Sequence, residues 1–251
     1  MSAVSGKVAL VTGGGRDIGR QISIKLAEAG AKVCINYCHG EASAKETLAT
    51  IESAGGTAML AQGDMTQAAD VSKVVTACQQ AFGNNIDILV NVTGGLVARK
   101  LLEDMDEAFW DTVMNLNIKS AFLVTKAVVP FMPAGSAIIN FSSQAGRDGG
   151  GFGAIAYSTS KGAILSLTRG LAKELGPKGI RVNCISPGMI NTSFHDTFTK
   201  PEIRRNVAGS VPLRREGEAA DVANLALYLA SDASAYITGA SMEINGGAYF
   251  I

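Results

Sequence analysis

Short apolar runs alternate along this chain with longer segments of helical character, and this alternation limits the possible folds more than any other feature. Strands are predicted at residues 8–11, 32–36, 58–62, 86–91, 137–141, 181–185 and 241–244. Helices are predicted near residues 17–30, 41–54, 67–82, 106–131, 153–176 and 218–231. Strands that are apolar throughout are buried on both faces. The pattern therefore predicts an α/β fold, a doubly wound parallel sheet (Rossmann-like) of about seven strands with helices on both faces.

The alternation runs through the whole chain without a linker, a charge block or an internal repeat. Residues 1–251 are therefore predicted to form a single domain. The segment at about 189–212 has weak periodicity and contains Pro201 and Pro212. It is predicted to be an irregular substrate loop at the carboxyl-terminal edge of the sheet, where such folds bind their ligands.

The composition limits the partners of the chain. Lys plus Arg (22) balances Asp plus Glu (22), which argues against general nucleic-acid binding and against polybasic membrane binding. No run approaches the roughly 18 apolar residues of a membrane span, and the first predicted strand begins too early to leave room for a signal peptide. The four cysteines form no C-x-x-C pair, and the histidines are His39 and His195. We expect a cytoplasmic protein without a metal site.

A glycine-rich turn, TGGGRDIG at 12–19, follows the first predicted strand and opens the first predicted helix. Glycines at such a turn let the backbone approach a pyrophosphate, and the helix N-terminus offers unpaired N–H groups to it. A glycine cluster alone is also explained by a tight turn, but its position directly after the first strand favours a dinucleotide site. Candidate contacts are Gly13, Arg16, Ile18 and Gly19.

The tip of the second strand bears on the choice of dinucleotide. Asn36 ends this strand, and the nearest carboxylate is Glu41, so no acid stands where one commonly binds the adenosine ribose. A 2′-phosphate would not be repelled there, and Arg16 could pair with it. The sequence therefore favours NADP(H) over NAD(H). The alternative for Arg16 is a solvated loop residue.

Two further strand tips carry candidate contacts. Asp64 follows the third strand and could either accept a hydrogen bond from adenine or cap the helix that begins near Gln67. After the fourth strand, NVTGG at 91–95 contains Asn91 and Gly94, and its small residues leave room for a flat ligand.

A phenol and an amine, Tyr157 and Lys161, are spaced one helical turn apart in the segment YSTSK. A nearby ammonium favours tyrosinate and would lower the phenol pKa from about 10, which makes Tyr157 a candidate general acid and base. Upstream, the fifth strand ends in Ser142 and Ser143, and a serine at a strand tip can donate a hydrogen bond to a substrate carbonyl. Taken singly, Tyr157 would be read as an ordinary core or surface aromatic.

Together, these motifs resemble the short-chain dehydrogenase/reductase family over almost the whole chain, in its 3-oxoacyl reductase-like or sugar-type dehydrogenase branch. The matching segments are TGGGRDIG (12–19), NVTGG (91–95), SS (142–143), YSTSK (157–161), PGMINT (187–192) and ITGASMEINGG (237–247). The ordered set is specific, although no single segment is.

The resemblance implies a role for each matching residue. Tyr157 would exchange a proton with the substrate oxygen, Lys161 would lower its pKa and bind the nicotinamide ribose, and Ser143 rather than Ser142 would hold the carbonyl. Asn117 would support a water-linked proton relay, with Asn115 as the close alternative. The alternative interpretation is that Asn117 simply marks a helix irregularity and that Ser142 and Ser143 satisfy their own loop. The catalytic set is therefore Asn117, Ser143, Tyr157 and Lys161. The implied cofactor-binding set is Gly13, Arg16, Ile18, Gly19, Asn36, Asp64, Met65, Asn91, Gly94, Tyr157, Lys161, Pro187, Gly188, Ile190 and Thr192.

Two positions depart from the family pattern. Asp17 stands where the family has the middle glycine of the cofactor turn, and its carboxylate would repel a pyrophosphate unless it points away. We expect Asp17 to cap the first helix or to pair with Arg16 or Arg20. Val92-Thr93 replaces the usual Asn-Ala, a change that is conservative in size.

The resemblance predicts an NAD(P)H-dependent oxidoreductase that reduces a ketone or aldehyde. A basic rim would suit a small polar or anionic keto or sugar-acid compound; its members would be Arg99, Lys100, Arg147, His195, Arg204, Arg205, Arg214 and Arg215. The first alternative is a 3-oxoacyl thioester on acyl carrier protein, although residues 128–135 lack the expected Lys or Arg. The second is a non-catalytic dinucleotide sensor.

Relatives in this family pair their long helices into tetramers, so a homotetramer is expected. The predicted helices at 106–131 and 153–176 have small and apolar faces that suit such pairing. The apolar tail at 248–251 is expected to lie in or near a subunit contact.

Overall fold

A computed structural model describes residues 4–250, with a seven-stranded parallel sheet at its centre. The strands are β1 (Val8–Thr12), β2 (Lys32–Tyr37), β3 (Thr57–Gln62), β4 (Ile88–Asn91), β5 (Ala137–Phe141), β6 (Arg181–Pro187), β7 (Ile190–Asn191), β8 (Gly217–Glu218) and β9 (Ser241–Ile244). The sheet order is β3-β2-β1-β4-β5-β6-β9, and every neighbouring pair is parallel. The short strands β7 and β8 pair with each other outside this sheet.

Helices connect the strands and cover both faces of the sheet. They are α1 (Asp17–Glu28), α2 (Glu41–Ser53), α3 (Ala68–Phe82), α4 (Glu107–Met114), α5 (Ser120–Val128), α6 (Ala145–Asp148), α7 (Ile155–Leu175), α8 (Ser193–Phe198), α9 (Pro201–Ser210) and α10 (Ala219–Ala230). The predicted doubly wound α/β fold is confirmed. None of the helices in residues 4–250 is long and apolar enough to cross a membrane.

The alternation of side chains along β1 shows how the core is divided. Ala9 and Val11 pack in one cluster with residues of α1 and α10. Val8 and Leu10 pack in the other cluster with residues of α3 and α5. Because successive strand residues point to opposite faces, one apolar run supplies both layers of the core.

Two predicted elements differ in the structure. The single helix expected at 106–131 is divided into α4 and α5 by a π-helical turn at Asn115–Lys119. The prediction of irregular structure at 189–212 is wrong, since α8 and α9 occupy most of this segment. Pro201 is the first residue of α9. At this position a backbone N–H would have no partner within the helix, so proline is tolerated there and its fixed φ favours the helix.

The strand order places the ligand site. It reverses between β1 and β4, and open parallel sheets bind ligands outside the carboxyl ends of their strands at such a point. The glycine-rich turn, the segment 91–95, the two serines and the segment 187–192 follow β1, β4, β5 and β6 respectively. Residues that are far apart in sequence therefore meet along one edge of the sheet.

Candidate active site

The glycine-rich turn brings α1 close to β1. Gly13 has a φ of +61°, and a Cβ on Gly19 would lie 2.1 Å from the Gly13 carbonyl oxygen. A Cβ on Gly14 would lie 2.8 Å from Oγ of Ser23. At these positions the glycines keep the turn free of side chains. The N-terminus of α1 is therefore accessible to a ligand at the carboxyl edge of the sheet.

Asn36 supports this turn from beneath. Its side chain is buried, with Nδ2 donating to the carbonyls of Ala61 (3.2 Å) and Gly63 (3.0 Å). Its Oδ1 accepts from the backbone N–H of Gly13 at 3.3 Å. With a longer bond from Nδ2 to the Tyr37 carbonyl (3.5 Å), the Asn36 side chain has four protein partners, one of them in the glycine-rich turn.

The two predicted contacts after β3 have structural partners of their own. Oδ1 of Asp64 accepts from the backbone N–H of Thr66 at 2.8 Å, in a turn that leads into α3. Asp64 does not cap α3, whose N-cap residue is Gln67 and which has no side-chain cap bond. Met65 is buried in the core beside α3, so its side chain faces away from the ligand edge.

Asp17 meets its expectation in part. It is the first residue of α1 rather than its N-cap, but its Oδ2 forms a long ion pair with Nε of Arg16 at 3.9 Å. Arg20 pairs with Glu46 instead. The carboxylate of Asp17 accepts from the backbone N–H (3.0 Å) and the hydroxyl (2.6 Å) of Ser193, at the start of α8. Spacing along the sequence could not reveal this partner, because the two residues are 176 positions apart.

Tyr157 and Lys161 lie on one face of α7. The Lys161 side chain is buried, and Nζ donates to the Phe141 carbonyl at 2.9 Å, at the end of β5. Nζ lies 5.7 Å from the centre of the Tyr157 ring. The two groups meet as predicted, but the ammonium is held by a backbone carbonyl.

Burial shifts both groups toward their neutral forms. It lowers the pKa of Lys161 to about 8. It raises the pKa of Tyr157, and a hydrogen bond with the Ser143 side chain only partly opposes this rise. The expected lowering of the phenol pKa is therefore not found, because desolvation of Tyr157 by burial outweighs that hydrogen bond.

The two serines after β5 have different partners. Ser142 is buried, and its hydroxyl donates to the Lys161 carbonyl at 2.7 Å, which fastens β5 to α7. Ser143 is half-buried beside Tyr157, and its Oγ accepts from the backbone N–H of Ala145 at 3.2 Å. The Ser143 hydroxyl therefore lies beside the Tyr157 phenol, with which it also shares a hydrogen bond.

Asn117 lies in the π-helical turn, buried against the segment after β4. Its Nδ2 donates to the carbonyls of Gly95 (2.9 Å) and Val113 (3.0 Å), and its Oδ1 accepts from the Gly95 N–H (2.9 Å). A Cβ on Gly94 would lie 2.6 Å from Asn117 Oδ1 and 3.0 Å from Lys161 Nζ. Gly94 thus allows Asn117 and Lys161 to approach, and the π turn sets the direction of Asn117.

Asn91 makes buried hydrogen bonds within the sheet and to a helix that covers it. Its Nδ2 donates to Oδ1 of Asn140 (2.9 Å) and to Oγ1 of Thr125 (3.1 Å), and Nδ2 of Asn140 donates to Oγ1 of Thr168 (3.0 Å). These buried bonds tie β4 and β5 to α5 and α7. The sequence singled out Asn91 but missed its partners, which only the register of β4 against β5 reveals.

The segment after β6 passes close to the C-terminal strand. The Pro187 carbonyl accepts from the backbone N–H of Gln144 at 2.9 Å, and a Cβ on Gly188 would lie 2.7 Å from Cβ of Asn245. Ile190 is buried, so its side chain belongs to the core. Thr192 is half-buried at the N-cap of α8, where its hydroxyl donates to the Ile190 carbonyl at 3.1 Å.

Aromatic residues that the sequence did not single out stand beside Tyr157. The ring of Phe194 lies 6.1 Å from that of Tyr157, and the ring of Phe198 lies 5.1 Å from that of Phe194. We call Tyr157, Phe194 and Phe198 the aromatic wall. Arg99 donates to the carbonyls of Phe198 (3.3 Å) and Phe152 (2.8 Å), which links α8 to the glycine-rich loop before α7.

The predicted basic rim is partly neutralised. Four of its eight members are paired with carboxylates: Lys100 with Asp106, Arg147 with Glu243, Arg204 with Asp196 and Glu216, and Arg215 with Asp221. His195 is half-buried, and burial, followed by the charge of Arg204, lowers its pKa. It is therefore neutral near pH 7. These pairings weaken the positive field that an anionic substrate would require.

Comparison with known proteins agrees with the arrangement of the site. A family model described as "Enoyl-(Acyl carrier protein) reductase" matches residues 13–249. The 3-oxoacyl-[acyl-carrier-protein] reductase FabG of Staphylococcus aureus (strain Mu50 / ATCC 700699) is 36% identical over 245 residues, covering 97% of this chain and 98% of the relative.

Solved structures superpose closely. A short-chain dehydrogenase/reductase from Serratia marcescens BCRC 10948 gives a TM-score of 0.91 at 32% identity, with 98% of each chain covered. A blue fluorescent protein from a metagenomic library, in complex with NADPH, gives 0.92 at 33% identity (99% and 100% covered). An NADH-dependent reductase A1-R′ responsible for alginate metabolism gives 0.91 at 34% identity, with both chains fully covered. With the motifs, the fold and the site in agreement, this chain belongs to the short-chain dehydrogenase/reductase family and is an NAD(P)-dependent oxidoreductase.

Proposed function

We propose that the enzyme reduces a ketone or aldehyde to an alcohol, with Tyr157 as the proton donor. The observation that carries this proposal is the arrangement of a protonated phenol, a buried ammonium and a serine hydroxyl at one point of the sheet edge. A phenol with a raised pKa keeps its proton at neutral pH and can give it to an oxygen that becomes an alkoxide. The Ser143 hydroxyl is placed to hold the carbonyl oxygen.

The residues present fit a nicotinamide dinucleotide. Close packing at Gly13, Gly19 and Gly94 leaves the surface of the sheet edge free of side chains where a flat and extended ligand would lie. The turn at 12–19 would hold the pyrophosphate, Lys161 the nicotinamide ribose and Thr192 the nicotinamide side. The bound cofactor supplies the hydride; the protein orients the substrate and provides the proton.

NADP(H) is the preferred cofactor in this proposal. The Arg16 side chain is 77% exposed at the turn, and β2 ends without a carboxylate. A 2′-phosphate would meet an exposed guanidinium there. One structural neighbour is in complex with NADPH and another is NADH-dependent, so the preference is inferred from this chain's own residues.

The substrate we propose carries an apolar or aromatic group next to its carbonyl. Phe194 lies beside the Tyr157 ring and Phe198 lies beside Phe194, and flat apolar groups pack well on such surfaces. The anionic keto or sugar acid expected from the sequence loses support because half of the basic rim is paired with carboxylates. The second candidate is a 3-oxoacyl thioester, which the likeness to FabG favours.

A matched panel tests this function. NADPH and NADH oxidation would be followed with 2,3-butanedione, 1-phenyl-1,2-propanedione, pyruvate and an acetoacetyl thioester. We expect the phenyl diketone to exceed the methyl diketone about tenfold in kcat/KM, and NADPH to exceed NADH. A thioester that is the best substrate would favour the second candidate. Tight NADPH binding without turnover of any compound would overturn the enzymatic proposal in favour of a dinucleotide sensor.

We further propose a cytoplasmic homotetramer. All four cysteines are free, three of them buried, which fits a reducing compartment. The tetramer is supported by large apolar side chains exposed on the surface of the single chain, among them Phe122 on α5.

A further inference from the structure

A hydrogen-bonded contact joins the glycine-rich turn to the segment that covers the site. The Asp17 carboxylate accepts from the backbone N–H and from the hydroxyl of Ser193, the first residue of α8. Through this contact, the first residue of α1 holds the start of the α8–α9 segment, which also carries Phe194 and Phe198 of the aromatic wall. The contact thus connects the predicted pyrophosphate surface to the predicted substrate surface.

The backbone of Asp17 is in an unusual conformation. Its φ is +50°, in the left-handed region that favours glycine and that Asp or Asn tolerates better than most other side chains. The family pattern that this chain resembles has glycine at this position. The chain therefore keeps a side chain where glycine would be less strained, and that side chain is the one that bonds to Ser193.

The charge of Asp17 lies where an anionic ligand would bind. The positive end of the α1 dipole attracts a carboxylate in the absence of other anions, and Arg16 Nε is 3.9 Å from Asp17. A pyrophosphate bound at the same helix N-terminus carries negative charge as well. The two anions repel each other, so cofactor binding and the present position of Asp17 are in conflict.

We propose that Asp17 is a latch that holds α8 against the glycine-rich turn in the cofactor-free enzyme and is displaced when the cofactor binds. Asp17 is then a positioning residue for the covering segment, and its displacement opposes cofactor binding. The free enzyme keeps a covered site, and the affinity for dinucleotide is lower than the glycine-rich turn alone would give. The proposal rests on NAD(P) binding at the turn and is independent of the substrate.

Direct measurement of cofactor affinity tests the latch. Asp17→Asn removes the charge, tolerates the left-handed backbone and keeps an oxygen for Ser193; Asp17→Gly removes the whole contact. We expect the dissociation constants for NADPH and NADH, from nucleotide fluorescence, to fall about tenfold in Asp17→Asn and at least as far in Asp17→Gly. The control is Asp232→Asn, an exposed carboxylate that pairs with Lys7 at 3.3 Å; it should leave both constants unchanged. Unchanged or weaker binding in both Asp17 variants would overturn the proposal.

A second readout follows the covering segment without any substrate. Arg205 is exposed on α9 and offers a trypsin site. In the free enzyme, we expect cleavage in this segment to be several-fold faster for Asp17→Gly and for Ser193→Ala than for the unchanged protein. Saturating NADPH should bring all three to a similar rate. Equal cleavage rates in the free proteins would show that Asp17 does not hold the segment, whatever substrate the enzyme reduces.

Discussion

At the scale of single residues, burial acts in opposite directions on the two groups that would handle the proton. It lowers the pKa of Lys161 to about 8 and raises that of Tyr157. Both groups are nevertheless protonated at pH 7. A neutral phenol can then give up its proton, and the ammonium beside it stabilises the tyrosinate that remains. This ionisation state suits carbonyl reduction.

The rate of reduction should therefore depend on the charge of Lys161. Because its pKa is lowered to about 8, the charged form predominates below that pH and is lost above it. We predict that kcat/KM for carbonyl reduction falls as the pH rises through about 8. A profile from about pH 6 to pH 10 measures this, with wild-type enzyme and NADPH.

Lys161→Arg is the control for this profile, since a guanidinium stays charged over the whole range. The variant should be slower, because the planar guanidinium of arginine does not reproduce the contact of the Lys161 ammonium with the Phe141 carbonyl. Its profile should lack the decline near pH 8. The same decline in wild type and variant would assign it to another group.

At the scale of elements, we expect the two serines at the junction between β5 and α7 to have different roles, one in stability and one in catalysis. Ser142 fastens the strand to the helix through the Lys161 carbonyl, while Ser143 faces Tyr157. We predict that Ser142→Ala lowers the free energy of unfolding by about 1 kcal/mol. Ser143→Ala should leave stability nearly unchanged and lower kcat about 100-fold. Urea unfolding and steady-state kinetics of the two variants measure this; the reverse pattern would exchange their roles.

The same scale shows what the sequence can and cannot predict. Apolar runs located all seven strands of the main sheet, because burial on both faces leaves a strong signal. The π turn at Asn115–Lys119 was anticipated only as an alternative, a helix irregularity at Asn117, since one extra residue in a helical turn barely changes the periodicity. The helices α8 and α9 were missed because they are short and largely exposed.

Site residues follow a similar division. Local spacing and ordered motifs identified Tyr157 and Lys161, which the structure brings together. Contacts between distant segments left no local signal. The bond from Ser193 to Asp17 and the position of the Phe194 ring beside Tyr157 depend on how α8 folds back over the sheet edge. The charge of the basic rim was misjudged for the same reason, since its carboxylate partners are scattered along the chain.

At the scale of the whole molecule, exposed apolar side chains indicate an assembly. Phe122 on α5 is 48% exposed, and Tyr236 and Phe250 are largely exposed elsewhere on the surface. The expected contact of the tail at 248–251 stays a prediction, and Ile251 lies outside the described residues. Large exposed aromatics at several places favour more than one subunit contact.

We predict the mass of a tetramer by light scattering at micromolar concentration. Phe122→Glu should dissociate it, because the substitution places a charge in an apolar contact. Ile203→Glu changes an exposed apolar residue of α9 in the same way and should leave the mass unchanged. A monomer in the unchanged protein would contradict the assembly.

The account as a whole depends on the proton that Tyr157 gives to the carbonyl oxygen. The most direct measurement is the kcat of Tyr157→Phe with the best carbonyl substrate, alongside its dissociation constant for NADPH. Phe keeps the ring beside Phe194 and removes only the hydroxyl. We predict that NADPH binds within about threefold of wild type while kcat falls by about 10³-fold. A kcat within about threefold of wild type would contradict the account.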